Sequence, residues 1–325
     1  MIATQLCPAC GGDLNSKRLS APAGDDGPIW HYLTCPSCGL LELDSRVKTE
    51  QIEDAYDGNY YGTGAAKFPV AFEHLRKLAY NNLARQVHRT LHKQGGAVLD
   101  VGCGSGAFLA ALGRLGHEIH GIERPGPAYN RAAQVLGIRL SAAGLRADSL
   151  PRSFFAAVTF WHVLEHLKDP EHALRTSLEV LEPDGLLFLE VPNVGSYQAR
   201  LFGARWLHFD PPRHIHQFTR DSLERLLDRT GFEIVQHGTY SLQMGAFGWL
   251  QGLLDTHIHP ANLFYQMLLT RGRCRGTALA KAWSVVLTLL IAPLAGVLTL
   301  VEAALGQGAV LRCVCRKRPI RLHSG

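Results

Sequence analysis

The pattern of apolar and polar positions changes period several times along the chain. Residues 97–101 (Ala-Val-Leu-Asp-Val) are a short apolar run with one acid near its end, the pattern of a strand buried on both faces. Residues 102–106 (Gly-Cys-Gly-Ser-Gly) form a glycine-rich turn, and 107–115 then continue with helical spacing. A second strand is predicted over 118–122, ending at Glu123, and a fourth begins at Phe155. Thr219 is a good N-cap for a helix over 219–230. Sixth and seventh strands are read at 232–236 and 309–314. Strand, glycine turn and helix in this order open a doubly wound sheet with helices on both faces, an α/β fold. Near the N-terminus, 30–34 reads as a strand, whereas 13–28, rich in Gly, Pro, Asp and Ser, reads as an exposed loop.

The regular pattern breaks between the sixth and seventh strands, where 239–308 intervene. Residues 282–301 carry no charge, enough apolar length for a bilayer crossing. One crossing would strand the seventh strand on the wrong side of its own sheet. Basic residues also flank both ends: Arg271, Arg273, Arg275 and Lys281 before, Arg312, Arg316, Lys317 and Arg318 after. Both flanks therefore prefer the same, cytoplasmic side, and Pro293 can bend the run. Three arrangements remain: a hairpin dipping into one leaflet, a surface-lying apolar helix, or a helix buried against core or an oligomer partner. Residues 247–269 suit an interfacial companion.

Composition adds bounds rather than identity. Hydrophobic residues make up 46% and charged ones 19%, so a large core can be buried. A net charge of +5 permits binding to phosphates or an anionic membrane face without demanding it. Eight cysteines matter through their placement. Cys7-Pro8-Ala9-Cys10-Gly11 and Cys35-Pro36-Ser37-Cys38-Gly39 are two copies of one knuckle, and together they offer four thiolates for a structural zinc ion. Met1 to Cys10 has neither a basic start nor a long apolar run, so a cytoplasmic setting with metal-bound thiolates is expected, with the inner membrane face as an option. The expected division is a zinc ribbon over 1–45, a nucleotide-binding core over 46–243, a hydrophobic helical insertion over 244–308, and the last strand with a basic tail over 309–325.

A GxGxG turn with an acid closing the next strand serves several nucleotide-binding folds. Three segments in order narrow the choice: 98–106 with Glu123, Thr159 to Pro170 around Trp161-His162-Val163-Leu164-Glu165-His166, and 181–193. Through these, the chain resembles the class I S-adenosylmethionine (SAM)-dependent methyltransferases, a Rossmann-like seven-stranded fold. The resemblance implies that Asp100, Gly102, Gly104 and Gly106 hold the methionine part of SAM. It implies Glu123 at the ribose, Gly144 and Leu145 over the adenine, and Trp161 with His162 closing the pocket. Tyr56, Tyr60 and Tyr61 look like the family's aromatic lid. Ala156 stands where the family often has an acid.

Methyl transfer to a hydroxyl needs a base, and histidine suits that role near neutral pH. His162 and His166 follow the fourth strand, and His214 lies in the Pro-rich stretch 211–219. The first group is similar to the ubiquinone-biosynthesis O-methyltransferases, where an acid pair and a histidine are thought to hold a divalent cation. Glu165 and His166 match that pattern, and His162 replaces the first acid. The plainer reading gives these residues loop-anchoring roles. His257 and His259 are set aside, since short His-x-His runs arise by chance among sixteen histidines. The implied function is SAM-dependent methylation of a small-molecule or lipid-linked acceptor, a quinone precursor or an envelope saccharide, at oxygen. RNA methylation competes, but no dense basic face with interleaved aromatics is present. A non-catalytic zinc-ribbon adaptor competes too, against the intact glycine turn and Glu123.

Overall fold

The computed structural model describes residues 5–22, 27–44, 46–55, 68–91, 95–270 and 274–318. The N-terminal sheet contains β1 (Asn15–Pro22), β2 (Ile29–Thr34) and β3 (Leu41–Leu43), and a short helix α1 (Thr49–Asp54) follows. Residues 15–22 were expected as loop. They form an edge strand because pairing with β2 needs only backbone groups, which a polar sequence supplies as well as an apolar one.

The core then runs α2 (Val70–Thr90), β4 (Ala97–Val101), α3 (Ala107–Gly113), β5 (Glu118–Ile122), α4 (Pro127–Ala132), β6 (Arg139–Ser141), β7 (Phe155–Trp161), α5 (Pro170–Val180) and β8 (Leu181–Pro192). It continues through α6 (Tyr197–Phe202), β9 (His216–Gln217), α7 (Arg220–Arg229) and β10 (Phe232–Gly238). Helices α8 (Leu242–Asp255), α9 (Leu263–Thr270) and α10 (Ala278–Ala304) precede the last strand, β11 (Val310–Lys317). The main sheet has the order β10-β11-β8-β7-β4-β5-β6. Its members from β8 to β6 are parallel, and β11 runs antiparallel to both neighbours. The seven strands thus include the predicted sixth and seventh as a β10–β11 pair.

Side-chain alternation explains why both faces are covered. Leu99, Val101, Val158 and Phe160 pack on one face with Leu174 of α5 and Leu226 of α7. Val98, Ala157 and Phe188 pack on the other with Val87 of α2 and Leu112 of α3. A strand buried on both sides is apolar along nearly its whole length, which is the run seen in 97–101 with Asp100 its one exception.

The cysteine-bearing sheet does not stand apart. Its order is β1-β2-β3-β9, so its fourth strand comes from beyond β8 of the core. Leu41 and Glu42 pair with Gln217 and His216, and Leu43 N–H donates to the Ile215 carbonyl at 2.8 Å. Tyr32, fully buried, donates its hydroxyl to the His214 carbonyl at 2.7 Å. At the start of α7, Thr219 Oγ1 accepts from Ser222 N–H and donates to the Cys38 carbonyl at 2.7 Å. One hydroxyl thereby caps a helix and ties the second knuckle down. Thr219→Ala loses both bonds, and by the usual cost of a lost cap should destabilise the fold by about 1–2 kcal/mol in urea unfolding. A change below a few tenths would show that neither bond matters.

Candidate active site

At the carboxyl ends of β4, β5 and β7 lies a cavity of about 910 Å³. The chain winds one way from β4 to β6 and the other way from β7, so this is the reversal point where open α/β sheets bind ligands. The glycine turn and the end of β5 are joined directly: Gly104 N–H donates to Glu123 Oε2 at 2.6 Å, and Arg124 N–H to Oε1 at 3.0 Å. Burial pushes the Glu123 carboxyl up, and the two amides pull it back in part. Gly104 has φ 57° and a Cβ there would meet nothing within 4 Å, so bare backbone faces open space. At Gly102, φ 69°, a Cβ would fall 2.5 Å from Val163, which forbids any side chain where the turn meets the loop after β7.

The cavity wall also includes Gly144, Leu145, His162 and His166. Four other expected residues stand one layer back. Asp100 is buried and accepts from Thr159 Oγ1 at 2.6 Å. Burial, with Glu123 adding to it, raises its carboxyl to about 8. Gly106 caps α3. Trp161 lies edge-on to Phe108 at 5.5 Å between centroids. His214 sits behind His166, their rings 4.6 Å apart. Tyr56, Tyr60 and Tyr61 fall outside the described residues.

Beneath the cavity lies a set of buried charges. His162, in left-handed backbone at φ 57°, bonds Glu190 Oε1 through Nε2 at 2.9 Å. Arg312 Nε donates to the other Glu190 oxygen at 2.6 Å. Burial opposes charge on both members of the His162–Glu190 pair, yet their bond and Arg312 hold Glu190 near about 2, and Glu165 and Glu190 lift His162 to about 10. Glu165 is fully buried and neither of its oxygens finds a hydrogen bond. It lies 3.6 Å from His162 Nδ1 and 3.9 Å from His214 Nε2. Burial alone would raise it; the imidazoles of His162 and then His166 keep it low.

Backbone carbonyls set the tautomers. His166 Nδ1 meets the Arg213 carbonyl and His214 Nδ1 the His208 carbonyl, each at 2.8 Å, so each Nδ1 donates. Burial, with His166 adding to it, presses the His214 imidazolium down to about 4. One donor atom each from Glu165, His166 and His214 lie within 4.8 Å of one another.

A methyltransferase-domain family model matches residues 72–237, half of the chain. This chain belongs to the class I SAM-dependent methyltransferases. Its curated relatives include the ubiquinone biosynthesis O-methyltransferase of Rhizobium leguminosarum bv. trifolii, 29% identical over 181 residues, 51% of this chain and 70% of that one. The enzyme of the same name from Cereibacter sphaeroides is 24% identical over 202 residues, 59% and 82% of the two chains. A SAM-dependent methyltransferase structure from Archaeoglobus fulgidus superposes with a TM-score of 0.47 at 19% identity, covering 74% of this chain and 94% of that one.

The methyltransferase carries a second centre away from the cavity. The sulfurs of Cys7 and Cys38 are 3.6 Å apart and those of Cys10 and Cys35 3.5 Å, with all four within 4.8 Å of one another. Tetrahedral zinc at ~2.3 Å from each sulfur requires edges of about 3.8 Å, so the four thiols fit that ion. Burial raises the Cys7 thiol to about 12, a penalty a bound dication would remove.

Sequence reading missed Glu190 and Arg312. A signal existed: each is the one charge in an apolar stretch, Glu190 within 185–192 and Arg312 within 309–315, and the β8–β11 register sets them opposite each other. Arg76 and Tyr80 of α2 and Glu53 of α1 also line the cavity without any motif to announce them.

The His162 pair makes a pH prediction. Its folded pKa, about 10, lies above the ordinary histidine value near 6.5. Stability from this pair is complete below about pH 6.5 and declines as pH rises toward 10. The stability gap between wild type and His162→Gln should therefore shrink across that window, by at most ~1.4 kcal/mol per pH unit. Denaturant unfolding at several pH values measures it, and a gap that does not change with pH would mean His162 is neutral.

Proposed function

We propose that this methyltransferase binds SAM in the cavity and methylates a hydroxyl of a small-molecule or lipid-linked acceptor at the cytoplasmic membrane face. The single observation that carries SAM binding is the Gly104–Glu123 bond, which brings the glycine-rich turn and a buried carboxylate to one wall. In this reading Gly102 and Gly104 admit the methionine end, with Asp100 and Gly106 supporting the turn from behind. Glu123 takes the ribose, Gly144 and Leu145 cover the adenine, and Trp161 and His162 close the floor. Tyr60 and Tyr61 are assigned to the lid by resemblance alone. The ribbon over 1–45, with zinc on Cys7, Cys10, Cys35 and Cys38, is structural. It carries β3, which pairs with the β9 segment of the 46–243 core; 244–308 and 309–325 complete the division.

SAM supplies an electrophilic methyl group on sulfur. The protein must align the acceptor oxygen and take its proton. His166 lines the cavity beside His162, and with its Nδ1–H donating to the Arg213 carbonyl the neutral ring carries its lone pair on Nε2, the atom that would accept that proton. The Glu165 carboxylate behind it would stabilise the resulting imidazolium. His214 holds a neutral ring against His166, and His162, already carrying a proton, fixes the charge of Glu165 rather than acting as a base.

Two features favour a lipid-linked acceptor. Phe68 and Phe72, beside cavity-lining α2 residues, continue into an aromatic cluster: Phe72 to Phe247 at 6.1 Å and Phe247 to Phe264 at 6.2 Å. That cluster leads to the apolar α8–α10 segment. The relatives are named for ubiquinone biosynthesis, which suits a hydrophobic acceptor.

A second reading has a specific observation behind it. Glu165, His166 and His214 offer one carboxylate and two imidazoles, a donor set suited to zinc, manganese or iron. His214 would stand in for the first acid of the family pattern, since His162 is occupied by Glu190. Activity lost to a chelator and restored by one of these ions would favour it; full activity in chelator would eliminate it.

Glu123→Ala should weaken SAM binding about 100-fold by titration calorimetry, the loss expected from two charged hydrogen bonds to ribose, while zinc content stays unchanged. Near-normal affinity would count against the whole assignment. His166→Ala should lower methyl transfer roughly 10²–10⁴-fold with SAM affinity retained. The acceptor is found by radiolabelled methyl transfer into fractionated extract, where label in RNA would redirect the reading.

A further inference from the structure

Helix α10 is 27 residues, about 40 Å long, and its polarity is inverted. Every exposed residue between 278 and 304 is apolar, among them Leu279, Trp283, Val286, Leu290, Val297 and Val301. Its polar residues lie on the other side: Ser284, Thr299 and Glu302 are buried, and Lys281 and Thr288 are half-buried. Elsewhere the same chain does the opposite. Helix α7 buries Leu223, Leu226 and Leu227 and exposes Asp221, Glu224, Arg225 and Asp228. Water selects the α7 pattern, and an apolar medium selects that of α10.

The helix is not on its way into the core. It packs on α8, which is pressed against the core by close approach: a Cβ on Gly248 would meet Gln198 Oε1 at 2.0 Å, and one on Gly252 the Phe202 ring at 2.3 Å. Glu302 turns inward, its Oε1 accepting from Gln198 Nε2 at 2.8 Å. The free face of α10 points away from that stack. At 100° per residue its exposed positions sweep roughly 200°, far wider than the stripe a helix presents to one partner helix. The chain also leaves and re-enters the sheet at neighbouring strands β10 and β11, so both ends of the segment stay on one side.

Charge identifies the medium. Residues 239–309 contain only two acids, and both turn inward: Glu302 as above, and Asp255 toward Gln251 and the Asn262 amide. Four basic residues, Arg271, Arg273, Arg275 and Lys281, lie at or before the start of α10. At its far end Arg200 and Arg220 bond the 306–307 turn. We propose that α10 is a docking helix that lies in the plane of an anionic phospholipid surface, its 200° face at the headgroup–acyl boundary and the basic residues that flank it in the chain among the headgroups. This sharpens the membrane setting proposed above; it needs no methyl transfer to be tested.

The full-length protein is mixed with vesicles of phosphatidylcholine alone or with added phosphatidylglycerol. Binding by flotation should strengthen more than tenfold with the anionic lipid, roughly fivefold for each basic side chain engaged, and should weaken in high salt. Brominated acyl chains should quench tryptophan fluorescence in wild type and much less in Trp283→Phe. The double variant Leu290→Glu, Val297→Glu should lose at least tenfold in vesicle binding while keeping its circular dichroism and SAM affinity. If that variant does not fold, quenching of Trp283 decides alone. Unquenched Trp283 overturns the proposal. So does a solution dimer that fails to bind vesicles and dissociates in the double variant, which would assign the face to a second copy. Normal SAM titration beside failed docking would leave the transferase assignment standing.

Discussion

Two residues of backbone pairing tie the molecule together. Leu41 and Glu42 of β3 pair with His216 and Gln217 of β9, so the 210–218 segment lends a two-residue strand to the cysteine-bearing sheet and also carries His214 behind His166. The loop is buried, with Ile215 and Phe218 packed into the hydrophobic clusters, so its backbone polar groups need partners. Two of its backbone carbonyls are satisfied by the ribbon: Ile215 accepts from the Leu43 N–H and His214 from the Tyr32 hydroxyl. A buried polar backbone without such partners is costly, so the loop and the ribbon sheet depend on each other. This gives a physical reason for a small metal-binding module to be fused to a transferase core. A metal held by the four cysteines would order the knuckles; the knuckles adjoin the strands, and β3 pairs with the histidine loop.

A second constraint concerns charge. Glu165 and Glu190 are both sealed from water close to a cavity proposed to receive a cationic cofactor. Two buried carboxylates would repel each other and take up protons. His162 stands between them and prevents this, at the expense of an unfavourable left-handed backbone. Arg312 completes the compensation from the neighbouring strand. The replacement of an acid by His162 in this chain is therefore more than a lost ligand. It changes the sign of the charge beneath the site, and it needs the Glu190–Arg312 pair to do so.

The third constraint is the segment between β10 and β11. Elsewhere, polar surface and apolar core separate as water requires. Here the order is reversed along one helix, and stability of the fold does not explain it, since an α10 with polar outer positions would pack on α8 equally well. The proposed aromatic route from Phe72 through Phe247 joins this face to the cavity. Substrate delivery and surface attachment are thus compatible in one geometry.

Much of the core was legible in the sequence, because the relevant signals are local. A run such as Ala97 to Val101 is apolar at all positions but Asp100 since both sheet faces are covered, and the glycines after it report a backbone that no side chain permits. The CPxCG pairs were equally plain, since four soft donors at that spacing have few other uses. What stayed hidden depends on residues distant in the chain. Edge strand β1 looked like loop because edge pairing asks nothing of side chains, and two-residue β9 exists only through its partner β3. His214 looked as accessible as His166 until packing set one ring behind the other. Glu190 and Arg312 were charges set in the apolar stretches of two strands, meaningful only once the register set them face to face. Composition and periodicity record what each residue must avoid or bury; which buried groups meet is decided by tertiary contact, because desolvated charges and backbone amides are satisfied by whatever the fold brings within 3 Å.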